Sequence, residues 1–449
     1  RLLRDWLTAP CVDRSQIESR HACVATLVAD ERAHEELSSR LSNVQDVPRI
    51  VARVGLGRAT PRDVVALGRS MDAIDPLRES LEGADAFADE SSTLDELREA
   101  LAPVAESIVT RCVDDPPAHM REGGLFRDGV DAELDECRSL QRDASTHMAR
   151  YQKELIETHE LPNLKVGYNR VFGYYIELPR AQSQRAPESF TRKQTLKNAE
   201  RYITPELKEF EEKVLDAGER AVAREQHLFA EICEQIATVH EPANRFARTI
   251  ARLDALSCFA HKARAHGWTR PEMRDEPTLR IDEGRHPVLD ELQDLRFVPN
   301  DASLGDPSEN GNGRSPRLAL ITGPNMAGKS TYIRQVALVT ILAHAGAFVP
   351  AKSASIGITD RVYARIGADD ALHLGRSTFM VEMIETANIL NTATDRSLVI
   401  LDEIGRGTST LDGLSLAWAI AEDLARLADT NSRGPRTLFA THYHELTDL

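Results

Sequence analysis

The residues Gly323, Pro324, Asn325, Met326, Ala327, Gly328, Lys329 and Ser330 fit the spacing G-x-x-x-x-G-K-[ST], and the apolar run 318–322 ahead of them supplies the strand such a loop needs. The chemistry of this pattern is anion binding. Glycines let successive backbone N–H groups turn inward, Lys329 can reach the β- and γ-phosphates of a nucleotide, and the Ser330 hydroxyl can ligate Mg²⁺. A nucleoside triphosphate is the expected ligand, with Thr331 completing the set that lines it.

About seventy residues on, 397–401 is a short, fully apolar strand that ends in Asp402 and Glu403. In this setting Asp402 would hold the Mg²⁺, through water, and Glu403 would polarise the water that attacks the γ-phosphate. The plain alternative is a pair of acids that cap the next helix or face solvent. Residues 404–413 then form a glycine- and hydroxyl-rich loop, too polar for core and suited to touching the nucleotide or a second subunit. Another apolar strand, 437–441, delivers His442 at its end. Ligands bind at strand C-termini in open α/β sheets, so His442 is a candidate γ-phosphate sensor, with a surface histidine in a loop as the competing reading.

Four segments, 322–332, 375–383, 401–410 and 439–443, together resemble the ATPase domain of the MutS family of DNA mismatch-repair proteins. Upstream, 163–177 and 192–202 resemble the segments that bound and form the family's DNA clamp, and 2–7 with 15–20 is similar to the start of its helical core; the likeness is weak between about 40 and 140. The resemblance implies a multidomain chain: an α-helical core with long lever helices, a small β-containing clamp, and an α/β P-loop ATPase domain of the ABC type. Its expected divisions are 1–162 for the core and first lever helix, 163–203 for the clamp, 204–270 for the returning lever helix and 271–449 for the ATPase domain.

The same resemblance implies ATP and Mg²⁺ as cofactors, a homodimer, double-stranded DNA with mismatches and a MutL-type repair protein as partners, and a cytoplasmic, nucleoid-associated place of work. Phe297 would stack on the adenine, a sensible use of a π-face, although a lone Phe is more often core. Ser377 would contact the γ-phosphate held by the other subunit. ATP binding would then join two ATPase domains, and hydrolysis would release them, driving a clamp that encircles DNA. Arg192, Lys193, Lys197, Asn198 and Arg201 would touch the DNA backbone; a solvated helix face with internal ion pairs to Glu188, Glu200 and Glu206 explains them equally well. The family's mismatch-reading and connector domains, and its terminal dimerisation helices, find no counterpart here, so the chain reads as a fragment. A chromosome-organising ATPase of the SMC type would want a Leu-Ser-Gly-Gly signature and long heptads, which are absent, whereas a MutS-like paralogue acting on recombination junctions stays open.

The elements that must position these residues are legible from periodicity. Residues 1 to about 115 read as short amphipathic helices broken at Pro10, Pro48, Pro61, Pro76 and Pro103, and 132–158 as one long helix ended by Pro162. Between 164 and 178 the period changes to alternation, with Gly167 and Gly173 as turns or bulges. A returning helix is expected from about Pro205 to Gly267, with Pro242 as its point of interruption. Residues 304–317 read as a disordered surface loop, and Ser377 as the N-cap of a helix that packs Met380 and Met383.

At 449 residues the chain is long enough for about three domains, and 41% hydrophobic content suffices for ordinary cores. No stretch approaches the roughly 18 uninterrupted apolar residues of a membrane helix. Six cysteines without C-x-x-C spacing favour free buried thiols over zinc or disulfides. A net charge of −16, with only nine lysines among 55 basic residues, is unusual for a DNA-binding chain and points to adaptation to a salty cytoplasm. Stability is therefore expected to rise as KCl is titrated from dilute buffer toward molar concentration, because salt screens the self-repulsion of the acidic surface. A chain already at full stability in dilute buffer would contradict this.

Overall fold

The structure is a computed structural model that describes residues 1–169, 173–292, 297–305, 316–324, 327–366, 378–405, 408–429 and 434–448. Its first elements are α1 (Leu2–Thr8), α2 (Arg14–Ala29), α3 (Glu31–Ser42), α4 (Val47–Gly55), α5 (Pro61–Asp72), α6 (Ile74–Glu79), α7 (Ala88–Arg111) and α8 (Ala132–His159). Four strands follow, β1 (Lys165–Asn169), β2 (Gly173–Pro179), β3 (Thr191–Thr195) and β4 (Ala199–Ile203), and then α9 (Pro205–Thr238) and α10 (His240–His266). The last part runs β5 (Glu272–Arg274), β6 (Leu279–Gly284), α11 (Leu289–Leu292), β7 (Asn300–Leu304), β8 (Leu318–Ile321), α12 (Lys329–Ala345), β9 (Ser353–Gly357), β10 (Val362–Ile366), α13 (Thr378–Thr392), β11 (Leu398–Asp402), α14 (Thr410–Asp429) and β12 (Arg436–Ala440).

Helix starts follow their capping residues. Asp13, Asp46, Asp131 and Thr204 accept from backbone N–H groups at the heads of α2, α4, α8 and α9, and Thr60 with Asp63 forms a reciprocal capping box on α5. Pro48 and Pro61 sit in first turns, where a missing N–H costs nothing. Pro103 corrects the reading of a break, because it lies inside the 24-residue α7. Leu97, Leu101, Val104 and Ile108 bury one face of that helix, while Pro103 and Glu99, whose carbonyl loses its donor, stand on the solvent face where water can replace the bond. The returning helix is interrupted as well: α9 ends at Thr238 and α10 starts at His240, which puts Pro242 in a first turn.

The chain forms two compact units. One comprises Ser42–Pro76 and Thr93–Ala247. Its sheet is antiparallel in the order β1-β2-β4-β3, and Met148, Tyr151 and Leu155 of α8 form one core with Ile176, Leu178 and Tyr202 of the strands. Strands β3 and β4 were not foreseen; the alternative of a solvated helix face over 192–201 gives way to a hairpin. Gly167 is an interior residue of β1 rather than a turn, and a Cβ there would lie 2.9 Å from the Tyr175 hydroxyl. Gly173 does take a left-handed φ of +71° at the head of β2. The buried Glu225 of α9 accepts from the N–H groups of Gly124 and Leu125, at 2.9 Å each, and pairs with Arg138 at 2.8 Å. A carboxylate there ties an irregular segment to a helix by satisfying groups that burial would otherwise orphan.

The other unit comprises Arg1–Leu41, Leu77–Ser92 and Arg248–Leu449. It holds a parallel sheet in the order β10-β11-β12-β8 and a mixed sheet in the order β5-β9-β6-β7. Successive residues of the parallel strands face opposite layers. Leu398, Ile400 and Leu438 join Val336 and Val339 of α12 in one core that also takes Ile281 and Leu304 of the mixed sheet. Val399, Leu401 and Phe439 point the other way, against Ala417 and Leu424 of α14. Burial on both faces is why these strands read as unbroken apolar runs. Residues 306–315 of the expected surface loop lie outside the described residues, but its ends are ordered: Leu304 closes β7, and the buried Arg317 donates to the Asp395 and Gly434 carbonyls. Met383 packs as expected, whereas Met380 is exposed.

His344, near the end of α12, accepts the Thr359 N–H on Nε2 at 2.8 Å, so Nδ1 carries the proton that it donates to the Thr340 carbonyl at 2.9 Å. Both ring positions are committed to the neutral form; burial, with Arg436 nearby, lowers the pKa to about 4, and burial lowers that of His21 to about 4 as well. Because the folded values lie below the unfolded value of about 6.5, the unfolded chain takes up protons first. Stability is full above that pH and falls as pH drops toward 4, by up to about 1.4 kcal/mol per pH unit for each histidine. All three tryptophans, Trp6, Trp268 and Trp418, lie in this unit. Urea midpoints followed by their fluorescence should fall between pH 6.5 and 4 with a shallower slope in His344→Gln; equal slopes would show that His344 is not held neutral.

Candidate functional site

Pairing sets three strand ends level. Asp402 of β11 lies opposite Ala440 of β12, and Ala440 lies opposite Ile321 of β8. The chain leaves all three at the same edge, so the segments that begin at Thr322, Glu403 and Thr441 converge from positions far apart in sequence.

After β8 the chain turns through Gly323, with φ of +146°, and Gly328, with φ of +90°, into α12. A Cβ on either glycine would meet nothing within 4 Å, which leaves their backbone open to a ligand. Lys329, the first residue of α12, is buried and donates from Nζ to the Gly323 carbonyl at 2.7 Å and the Pro324 carbonyl at 3.0 Å. Ser330 Oγ donates to Asp402 Oδ1 at 3.0 Å. An alcohol and a carboxylate oxygen side by side form a hard donor pair of the kind that Mg²⁺ prefers. Arg334, one turn along α12 from Ser330, stands 3.8 Å from the other Asp402 oxygen. The sequence reading missed it; its i+4 spacing from Ser330 was the available signal.

On the far side of Asp402, Glu403 has a left-handed φ of +55°, rare for a residue with a Cβ. Its N–H donates to the Ala440 carbonyl at 2.9 Å, and its carboxylate meets His442 Nε2 directly. A cavity of about 250 Å³ lies against Glu403, Thr408, Thr410 and His442. A second cavity, about 580 Å³, is lined by Phe297 and Asn300 on one side and Thr322, Gly328, Lys329 and Thr331 on the other, with Ala327 and Tyr332 also bordering it. Tyr332, another residue not foreseen, donates its hydroxyl to the Asp301 carbonyl at 2.9 Å. Lys329, Ser330, Asp402, Glu403 and His442 are thus gathered at one edge, with Phe297 facing the loop across the larger cavity. Asn325, Met326 and Ser377 lie outside the described residues.

The basic cluster belongs to the first-described unit. Arg192 and Lys193 are on β3, Lys197 and Asn198 in the turn after it, and Arg201 on β4. Both arginines are engaged internally: Arg192 with Glu200 at 3.4 Å, and Arg201 with Glu177 at 3.0 Å and over the Tyr175 ring at 4.1 Å. Lys193, Lys197 and Asn198 are exposed along the hairpin end.

Comparison with known proteins gives two family matches, MutS domain III over residues 1–260 and MutS domain V over residues 319–449. A protein of Rhodopirellula baltica named DNA mismatch repair protein MutS is 49% identical over 459 residues, covering 100% of this chain and 49% of that protein. One of the same name from Symbiobacterium thermophilum is 47% identical over 450 residues, covering 100% of this chain and 50% of that protein. The chain spans about half the length of these relatives.

The left-handed Glu403 yields a direct test. Glu403→Ala and Glu403→Gly lose the same carboxylate, but only Ala keeps the Cβ that opposes this conformation, at a cost of about 1 kcal/mol. Tryptophan-detected unfolding should find the Gly variant the more stable by about that amount. An Ala variant equal to or more stable than Gly would show that the turn is not strained.

Proposed function

The chain belongs to the MutS family, and we propose that it binds and hydrolyses ATP with Mg²⁺ as part of a DNA mismatch-repair protein. The observation that carries this reading is the convergence of Lys329, Ser330 with Asp402, and Glu403 with His442 at the ends of β8, β11 and β12. The start of α12 presents backbone N–H groups that have no partner within the helix and the positive end of the helix dipole, and Lys329 adds a full charge beside them, so phosphate oxygens are favoured there. Phe297, across the larger cavity, offers a ring face to the base. Ser330 and Asp402 would hold Mg²⁺, which when bound neutralises charge on the β- and γ-phosphates. Glu403 orients and deprotonates a water, and His442, bonded to its carboxylate, fixes the direction of that carboxylate and offers a donor toward the phosphate.

Within the same proposal the chain divides into core and first lever helix (1–162), clamp (163–203), returning lever helix (204–270) and ATPase domain (271–449). It works as a homodimer on double-stranded DNA carrying mismatches and with a MutL-type partner. ATP binding joins two subunits and hydrolysis releases them, a switch that needs only different nucleotide affinities in two arrangements. The exposed Lys197 and Asn198 are better placed for phosphate contact than Arg192 and Arg201, whose acids compete with DNA.

Hydrolysis by this chain with Mg²⁺, with and without duplex DNA, is the test. Lys329→Ala should weaken ATP binding by about tenfold or more, and Glu403→Gln should keep binding while slowing hydrolysis about 100-fold. Normal turnover in either variant would overturn the residue roles.

A further inference from the structure

Two buried charged residues on neighbouring elements are not used by the mechanism above. Glu382 of α13 is 7% exposed, and its Oε1 accepts the Gly405 N–H at 2.6 Å. Its other oxygen faces Arg365 of β10 at 3.7 Å, and the Arg365 Nε lies 3.3 Å from Glu385, one turn further along α13. Arg365 is itself 7% exposed and pairs in register with Leu401, the residue before Asp402.

Glu382 acts on a short and heavily constrained segment. Gly405 is two residues beyond Glu403, has φ of +91°, and is so close to Gly413 that a Cβ on it would lie 2.7 Å from the Gly413 carbonyl. Ile404 between them is buried in the core under α14. The left-handed turn at Glu403 is therefore held at three points: its own N–H on Ala440, the side chain of Ile404, and the N–H of Gly405 on Glu382. An apolar side chain would fill the place of Glu382 without the cost of desolvating a carboxylate, so what the carboxylate adds is direction, through a charge-assisted bond to a single N–H.

Resting on the proposed ATPase reading, we infer that Glu382 is a positioning residue for Glu403, aimed by Arg365, and that α13 is thereby coupled to the hydrolytic carboxylate. A displacement of α13 changes the anchor of Gly405 and with it the direction of Glu403, while the nucleotide contacts at Lys329 and Ser330, on α12, are left alone.

The test compares the parent chain with Glu382→Ala, Glu382→Gln and, as a marker of the site, Glu403→Gln. Mg²⁺-ATP affinity, the single-turnover hydrolysis rate and hydrogen exchange at the Gly405 amide are measured for each. Glu382→Ala should bind Mg²⁺-ATP as the parent does, hydrolyse it about tenfold to 100-fold more slowly, and lose protection at Gly405. Glu382→Gln, which keeps an acceptor, should recover most of both. Parent-like hydrolysis in Glu382→Ala, or equal loss of affinity and rate that Gln does not rescue, overturns the inference. If Glu403→Gln hydrolyses normally, the ATPase reading itself has failed. The exchange experiment still decides the anchor, since unchanged protection at Gly405 in Glu382→Ala removes it.

Discussion

Strand β12 is paired on both sides, with β11 and with β8, and each of its five residues is buried. That pairing aligns Asp402, Ala440 and Ile321, and with them Lys329, Ser330, Glu403 and His442, which are proposed to handle nucleotide. A slip of one residue would carry Asp402 away from Ser330 and turn Leu438 and Phe439 to the wrong layers. The register is secured at the other end of the strand too, where the buried Arg436 donates to the carbonyls of Thr278, Gly357 and Arg396 and to the Thr359 hydroxyl. Those carbonyls lie at β6 and β9 of the mixed sheet and in the turn before β11, so one side chain satisfies several buried acceptors at once and fixes where β12 begins.

From this alignment the candidate site divides into two flanks that share one strand end. On one flank, α12 offers its N-terminus, Lys329 and Ser330, which bind and hold charge. On the other, Glu403 and His442 sit in a strained turn whose geometry depends on neighbours in α13, α14 and β12. In the proposed function, binding and hydrolysis would thus be anchored to different helices, so that one could change without the other.

Much of the α/β unit was legible in the sequence because fully buried parallel strands are written as continuous apolar runs. The stretches read at 318–322, 397–401 and 437–441 match β8, β11 and β12 to within a residue. Helix α8 was equally plain, since its apolar residues recur every three or four positions and Glu160, in the left-handed conformation, and Pro162 close it. The hairpin of β3 and β4 was not, because its residues are mostly polar and one face only is buried, so Tyr202 alone marked the core side. Pro103 misled for the opposite reason: local propensity favours a break, but burial of four apolar side chains around it outweighs one lost hydrogen bond on a wet face. The role of Glu382 could not be read at all, since its partner Gly405 is 23 residues away and only the fold brings them together.

The most direct measurement is a crystal structure of the Glu403→Gln chain with Mg²⁺ and ATP. The triphosphate should lie along the start of α12, the cation within about 2.1 Å of Ser330 Oγ in place of the present bond from Ser330 to Asp402, and the base against Phe297. A nucleotide bound elsewhere, with the bond between Ser330 and Asp402 intact, would contradict it.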